Sequence, residues 1–304
     1  MIRRFFILLC LWCFMLLGAT MPLFAQDDDL LSLVDDEDKN TTNFARASFK
    51  TTRVINSHSL ENVAAGVLDF KISHRFGVLN NGFYDIFGLD NATIRFGLDY
   101  GITPRLMVGL GRSTYEKTYD GFIKYKLLRQ SKGKRNMPIT ASLVAGMSIN
   151  TLKWANPDRD NYFSSRLSYY YQLIIGRKFS EGFSMQIMPT LVHRNLVETR
   201  AEKNDVISIG IAARQKLSRR IAINAEYFYV LPNQLAESYR NSLSLGFDIE
   251  TGGHVFQLHF TNSTPMTEKG FIAETSNNWL DGDIHFGFNI SRVFTIAQPK
   301  NREE

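Results

Sequence analysis

Apolar and polar residues alternate along most of the chain after residue 65, in segments separated by stretches rich in Gly, Asn, Asp, Ser or Lys. Successive side chains of a strand point to opposite faces, so an alternation with a period of two predicts β-strands. Leu68, Phe70 and Ile72, for example, share one face of their segment and alternate with charged and polar residues. The pattern predicts twelve strands, at residues 66–76, 92–100, 105–112, 119–128, 139–149, 164–176, 184–193, 205–215, 220–231, 241–250, 254–261 and 283–294.

Strand length and spacing favour a barrel that crosses a membrane. Most predicted strands have about ten residues, the length that a tilted strand needs to cross a bilayer. The connections alternate between long and short, except at 113–118 and 129–138, as in outer-membrane barrels. Only Pro189, of the seven prolines after residue 25, lies within a strand. We therefore expect an all-β fold, a closed antiparallel transmembrane β-barrel; the alternative is a soluble, exported β-domain, which also has one apolar and one polar face.

The first 25 residues have the features of a secretory signal peptide. Arg3 and Arg4 precede an uncharged apolar stretch that ends in small residues at Ala25. The alternative is a membrane-anchoring helix, since the stretch has about the 20 residues that cross a bilayer. Both cysteines, Cys10 and Cys13, lie in this region, so the mature chain would contain no disulfide.

The remaining chain divides into three predicted parts. Residues 26–64 form a partly flexible periplasmic segment, which begins with seven acidic residues before Lys39. Its second half, FKTTRVINSHSLEN, is less acidic, and is expected to lie at the barrel mouth or inside it. Residues 65–296 form the barrel, and 297–304 form a polar C-terminal tail. An even number of strands puts both chain ends on one side, which we expect to be the periplasm of a Gram-negative bacterium.

Charge and motifs exclude several classes of function. Without the signal peptide the net charge falls from +5 to about +3, and acidic and basic residues alternate along the chain, which argues against a nucleic-acid partner. The glycines form neither a phosphate-binding loop nor a dinucleotide fingerprint, and we expect no cofactor.

Four stretches of the chain resemble a family of predicted outer-membrane β-barrels, domain of unknown function 5777. They are FKTTRVINSHSLEN (49–62), GVLDFKISHRFG (66–77), GGHVFQLHFTNS (252–263) and EKGFIAETSNNW (268–279). The resemblance extends over nearly all of the mature chain. It implies an outer-membrane location and brings no ligand, reaction or catalytic residue.

The polar faces of the strands place many charged side chains inside the predicted barrel. Cross-strand charge pairs of this kind close a narrow lumen, or alternatively line a water channel and set its selectivity. Twelve strands lie between the filled eight-stranded barrels and the open sixteen-stranded porins, so both readings stay open. The inward residues are Asp69, Lys71, Arg75, Arg95, Asp99, Lys124, Lys126, Arg166, Glu226, Asp248 and Glu250.

Histidines provide the candidates for chemistry. If Phe256 lies opposite Phe288, His259 faces His285 across the last two strands, inside the barrel. No third metal ligand is evident beside them. We therefore expect these histidines to line the lumen as polar residues and to form no metal site. Ser57-His58-Ser59 is the only tight Ser/His cluster, and adjacent side chains point apart. His74 lies on the apolar face of its strand, without a serine partner. We expect no catalytic residues and no enzyme activity.

The longest predicted loop, EKGFIAETSNNWLDGD (268–283), either folds into the lumen, provides a contact surface or forms an ordered cap, of which the cap is favoured. Two functions follow for the barrel: a narrow pore for small polar solutes, or a non-conducting structural or partner-binding protein. An outer-membrane enzyme is the least favoured. Membrane lipid is the expected partner, together with a small polar solute or a periplasmic protein. The pattern selects no oligomeric state.

Overall fold

The computed structural model describes residues 40–298. The predicted signal peptide, the acidic run before residue 40 and residues 299–304 of the polar tail lie outside the described residues.

Twelve antiparallel strands close into a barrel, as the alternation predicted. All twelve predicted strands are present, with ends that differ from the prediction by about three residues or fewer. Two further short strands, β1 (Thr42–Phe44) and β6 (Ser131–Gly133), pair with each other outside the barrel. The barrel strands are β2 (Val67–Val78), β3 (Ala92–Gly101), β4 (Leu106–Ser113), β5 (Tyr119–Leu128), β7 (Thr140–Ile149), β8 (Leu167–Lys178), β9 (Phe183–Arg194), β10 (Asp205–Lys216), β11 (Ile221–Val230), β12 (Leu243–Thr251), β13 (His254–Thr261) and β14 (His285–Thr295).

The barrel wall separates an apolar outer face from a buried interior that contains both polar and apolar side chains. In β10, Ile207, Ile209 and Ile211 point outward and are exposed, whereas the residues between them are buried. Hydrocarbon cannot satisfy backbone polar groups, and closure of β14 onto β2 pairs the last edge of the sheet. The outward apolar side chains can therefore lie against lipid without an exposed strand edge.

The connections give the barrel two different ends. At the end that we call the long-loop end, strands are joined by residues 79–91, 114–118, 150–166, 195–204, 231–242 and 262–284. At the opposite, short-turn end the connections are 102–105, 129–139, 179–182, 217–220 and 252–253, and the chain enters β2 and leaves β14 there.

The unusually long connection at the short-turn end has a structural reason. Residues 129–139 contain β6, whose pairing with β1 attaches the chain before the barrel to this end. The exception to the loop pattern at 129–138 therefore has a role: this connection binds the segment of the same chain that precedes the barrel.

Short helical elements lie in several of the long loops. They are 3₁₀ turns at Leu79–Asp85, Tyr115–Lys117, Phe163–Arg166 and Trp279–Asp281, and an α-helix, α1, at Glu268–Ala273. Among residues 40–298 no helix has the length and apolar character to cross a membrane.

Pro189 interrupts the wall without changing its register. Proline lacks the N–H that a central strand donates. The paired residues of β8 and β9 go from Gln172 with Thr190 directly to Ile175 with Ile187, so the ladder has a gap at Pro189 and resumes in the same register.

Inward-facing glycines make room for aromatic rings inside the barrel. A Cβ atom at Gly146 would lie 2.2 Å from the ring of Tyr170 on the neighbouring strand. Such contacts exclude any larger side chain at the glycine unless the ring moves, so the pairs fix where the aromatic side chains lie. The other pairs are Gly109 with Phe122 and Gly210 with Phe228.

Candidate functional site: the filled barrel interior

Residues 48–63, which we call the lumen hairpin, lie inside the barrel. The chain folds back on itself, since the backbone N–H of Val54 donates to the carbonyl of Ser57 (2.8 Å) and that of Ser59 to Thr52 (2.9 Å). Ser57, His58 and Ser59 are fully buried. Of the two places that the sequence left open for this stretch, the mouth and the interior, the structure has the interior.

Glu226 of β11 binds the tip of the lumen hairpin. Its carboxylate accepts the backbone N–H groups of Ile55 (3.3 Å), Asn56 (2.9 Å) and Ser57 (3.1 Å), and also the Ser57 hydroxyl (2.7 Å). Hydrogen bonds to a charged acceptor are stronger than neutral ones. One buried carboxylate therefore satisfies three consecutive amides that would otherwise lack water.

Polar side chains of other strands bind the carbonyl groups of the hairpin. Buried backbone groups need partners, and here the inward face of the wall supplies them in place of water. The donor and acceptor pairs are Lys124 with Ser59 (2.7 Å), Gln186 with His58 (2.7 Å), Asn289 with Ile55 (3.0 Å), and Gln257 with Val54.

The loop between β13 and β14 fills the interior from the long-loop end. Phe271, Ile272 and Ala273 of α1 are completely buried, and the Phe271 ring packs edge-on against Phe228 of β11, with centroids 5.1 Å apart. The loop therefore folds into the lumen, which is one of the alternatives that the sequence left open and not the favoured cap.

A half-buried charge cluster fastens α1 to the neighbouring loop. The Lys269 ammonium lies 3.0 Å from Glu116 and 2.9 Å from Glu274. Burial raises the pKa of Glu274 to about 7; Lys269 opposes this shift and Glu116 adds to it. Glu274 is therefore an acid that titrates near neutrality.

The lumen hairpin and α1 meet inside the barrel. Arg53 of the hairpin pairs with Glu268 of α1, and both side chains are buried. His58 Nε2 lies 3.3 Å from the same carboxylate and 3.0 Å from the Tyr170 hydroxyl. Burial, together with the charges of Arg53 and Lys124, holds the pKa of His58 well below its ordinary value. The ion pair at this junction is therefore Arg53 with Glu268, beside a neutral imidazole.

Most of the charged residues predicted to face inward do so. Lys71 pairs with Asp99 (2.5 Å) and Asp69 (3.1 Å). Arg75, Arg95, Lys124, Glu226 and Asp248 are also buried, whereas Lys126 and Glu250 are partly exposed. Two buried pairs were not predicted from the sequence: Asp120 with Arg95, and Arg194 with Glu202 (2.8 Å).

The predicted position of Arg166 in a strand is wrong. The strand begins one residue later, and Arg166 ends a 3₁₀ turn at the long-loop end. Its guanidinium lies 3.8 Å above the Trp154 ring and donates to the carbonyls of Asn150 (2.9 Å) and Leu152 (2.6 Å). The Arg166 side chain therefore joins the two ends of the 150–166 loop. Alternation within a strand cannot indicate such a contact.

The predicted pairing of His259 with His285 is also wrong. His259 lies opposite Gly287, and His285 lies opposite Thr261, so the register differs by two residues. A period of two is unchanged by a shift of two residues, and the apolar pattern fits both registers. No group of three or more His, Cys, Asp or Glu side chains within residues 40–298 is arranged to hold a metal ion.

His285 secures the β13–β14 loop. Its Nδ1 donates to the carbonyl of Phe76 (2.8 Å), which leaves Nε2 to accept from Thr264 (3.0 Å) or Asn277 (2.5 Å). His259 is fully buried, and neither of its ring nitrogens has a partner among the described residues.

The serines beside His58 do not bond to it. Ser57 donates to Glu226, and Ser59 donates to the carbonyl of Thr51 (2.6 Å). His74 points outward and stacks on Phe288, with centroids 5.0 Å apart and nearly parallel rings. The hydroxyls near these histidines are thus committed to structural contacts.

A cavity lies beside the filled interior at each end of the barrel. The cavity at the short-turn end has about 720 Å³ and is lined by hairpin residues such as Lys50 and by Arg219 and Arg220. The cavity at the long-loop end has about 350 Å³ and is lined by residues that include Lys269 and Glu274. The lumen hairpin and α1 lie between them.

A closed, twelve-stranded antiparallel barrel with an apolar outer face is the fold of bacterial outer-membrane β-barrel proteins, and its outer face contacts lipid. The chain belongs to the family described as the membrane bound beta barrel domain, DUF5777, whose model matches residues 49–294. The match confirms the resemblance seen in the sequence and covers nearly all of the lumen hairpin as well as the wall.

Solved structures with a similar fold are porins and channels. The NanC porin is 7% identical, with a TM-score of 0.47, over 75% of this chain and 98% of its own. An outer-membrane channel from Pseudomonas putida F1 is 12% identical, with a TM-score of 0.45, over 78% and 98%. The outer-membrane protein Omp33 of Acinetobacter baumannii is 10% identical, with a TM-score of 0.40, over 75% and 97%. A comparison with curated proteins gives no match.

Proposed function

We propose that the protein is a plugged outer-membrane barrel, non-conducting in its resting state, whose role is structural or partner-binding. The observation that carries this is the lumen hairpin, whose tip amides and carbonyls are bound by side chains from strands around the wall. The buried pair of Arg53 with Glu268 joins it to α1, which closes the barrel from the other end. In this proposal the two elements together block the path of water and solutes through the lumen.

The short-turn end faces the periplasm in this proposal. Outer-membrane barrels generally have short periplasmic turns and longer external loops, and the connections here follow that pattern. Both ends of the described chain then lie in the periplasm. A cysteine in the 217–220 turn should resist a membrane-impermeant maleimide on intact cells, whereas one in the 150–166 loop should react; the opposite labelling contradicts this orientation.

Single-channel recording in planar bilayers tests the plug. We expect the folded wild-type barrel to be silent, and a chain in which residues 49–62 are replaced by a Gly/Ser linker of equal length to give stepwise conductance. Stepwise conductance of the wild type would overturn the proposal. Because the replaced chain has to be shown to fold, its electrophoretic mobility before and after heating is compared with that of the wild type.

A pore for small polar solutes is a second candidate, and the polar nature of the hairpin contacts favours it. Hydrogen bonds contribute only about 0.5–1.5 kcal/mol each once exchange with water is counted, so they oppose departure of the hairpin only weakly, and the main cost is exposure of its Phe49, Val54 and Leu60. If the protein is a gated pore, the hairpin of the wild type leaves the lumen under a stimulus. Occasional stepwise openings in a largely silent recording, abolished by a disulfide between hairpin and wall, would favour the gated pore over the permanent plug.

We also propose that the barrel is not an enzyme. The support is that Ser57 and Ser59 are engaged with Glu226 and a backbone carbonyl, and His58 with Tyr170. Hydrolysis of ester or phospholipid substrates by the purified barrel, lost in His58→Ala, would contradict this.

A further inference from the structure

The two ends of the barrel differ in charge. Exposed basic residues dominate the short-turn end, whereas acidic residues outnumber basic ones in the long loops. The only acid in the five turns of the short-turn end is Glu181, and it pairs with Lys178 (2.8 Å). We call the exposed bases of this end the basic mouth: Arg46, Lys132, Lys134, Arg135, Arg219 and Arg220.

The bases of the mouth are unpaired. None of the six side chains makes an ion pair or a side-chain hydrogen bond with another part of the described chain. The acids that line the same cavity as Arg219 and Arg220 have other partners: Glu250 pairs with Lys50, Asp69 pairs with Lys71, and Glu61 accepts the backbone N–H of Ser48 (2.8 Å). Like charges left this close together repel, and an anionic partner would remove the repulsion.

The position of Arg219 and Arg220 distinguishes a polypeptide from lipid. Both line the 720 Å³ cavity, whose wall also includes Asp69 and Ser291, and these two inward-facing residues bond to each other (2.5 Å). The cavity therefore opens within the barrel mouth, whereas lipid headgroups surround the outside of the wall. Anionic phospholipid does not reach it.

Two of the remaining bases, Arg46 and Lys132, line another cavity at this end. A space of about 700 Å³ next to β1 and β6 is lined by Arg46, Lys132 and Lys178. Strands β7 to β10 separate the β6 turn from the turn at 217–220. A ligand that contacts both sets of bases must be extended, which small anions are not.

We propose that the basic mouth binds an acidic, extended polypeptide segment, with carboxylates on Arg219 and Arg220 in the larger cavity and others on Lys132, Lys134 and Arg135. The orientation proposed above places this partner in the periplasm. Peptide binding does not depend on whether the barrel conducts. If this proposal is wrong, peptide binding is absent, whereas if the plug proposal is wrong, the wild type conducts, so the two failures are distinguishable.

Fluorescence anisotropy with a labelled peptide of ten alternating Asp and Ser residues tests the proposal on the full folded chain in uncharged nanodiscs. We expect saturable binding that weakens with salt, since exposed charges are screened over about 8 Å at physiological ionic strength. Arg219→Glu with Arg220→Glu should weaken binding at least tenfold. The matched control reverses two exposed, unpaired bases in the long loops, Arg159→Glu with Arg200→Glu, and should leave binding unchanged.

Several results would overturn the proposal. Equal loss in both double variants would mean unspecific attraction to charge. Loss of peptide binding when the nanodiscs contain anionic phospholipid would assign the bases to lipid. If the peptide binds to a chain without residues 26–39 but not to the full chain, the chain's own acidic segment occupies the basic mouth. That result would exclude a separate partner for the wild-type protein. Unchanged electrophoretic mobility before heating verifies that each variant is folded.

Discussion

Replacement of Glu226 by alanine tests how the barrel holds the lumen hairpin. The change removes one acceptor that serves three backbone N–H groups and the Ser57 hydroxyl. An unsatisfied buried donor costs about 1–3 kcal/mol, and the hydroxyl can rotate to another acceptor. Removal of the buried carboxylate also recovers its own cost of desolvation. We therefore expect Glu226→Ala to reduce the free energy that holds the hairpin in the lumen by a net amount on the order of 3 kcal/mol.

Hydrogen exchange measured by mass spectrometry reports this loss directly. A change of about 1.4 kcal/mol corresponds to tenfold in an equilibrium constant, so the amides of residues 55–57 should exchange roughly 100-fold faster in Glu226→Ala. Glu226→Gln retains one oxygen acceptor and should have a smaller effect. The control is Asp120→Ala, which removes a buried carboxylate that bonds to Arg95 and not to the hairpin. Unchanged exchange of residues 55–57 in Glu226→Ala would refute the assignment of Glu226 as the anchor.

Three further changes probe α1 and the wall. The pKa of Glu274 is raised to about 7 in the folded protein, from 4.5 in the unfolded chain. Between these pH values the folded state binds more protons than the unfolded state. The loop should therefore become less stable as the pH rises from 5 to 7. Exchange of residues 268–275, corrected for its intrinsic pH dependence, should show this, and Glu274→Gln should abolish it. Phe271→Ala should destabilise the packing of α1 by about 3–5 kcal/mol, seen as faster exchange of the same segment. Gly146→Ala should displace Tyr170, and thereby speed exchange of the hairpin while the heat-modifiable mobility of the barrel is retained.

The wall could be predicted from the sequence because its physics is local. Each strand has its own apolar and polar faces, and the length of a membrane strand is set by the bilayer, so all twelve strands were found with nearly correct ends. Register is not local in the same way. The pairing of His259 with Gly287 depends on how whole strands fit together, and alternation gives no preference between shifts of two residues.

The filled interior could not be derived from pattern. The stretch 49–62 has no alternation, and its many polar residues resemble those of a solvated segment. It is buried because partners distant in sequence satisfy its backbone: Glu226 lies 170 residues from Asn56, and Gln186 lies 128 residues from His58. Its low content of acidic residues and the family resemblance both indicated that it was more than a linker, and the family match begins at the same residue, Phe49.

The two elements inside the barrel are held by apolar packing as well as by polar contacts. The lumen hairpin buries Phe49, Val54 and Leu60 in the same apolar cluster as Phe271 and Ile272 of α1. Departure of either element would expose its apolar side chains, at about 1.5–3 kcal/mol for each. A conducting path through the lumen requires departure of the hairpin. Its departure removes Arg53 and leaves Glu268 buried without its cation, a state that costs about 3–5 kcal/mol for a broken buried pair. Burial raises the pKa of Glu268, so uptake of a proton is the least costly way to neutralise it, and acid pH favours the open barrel.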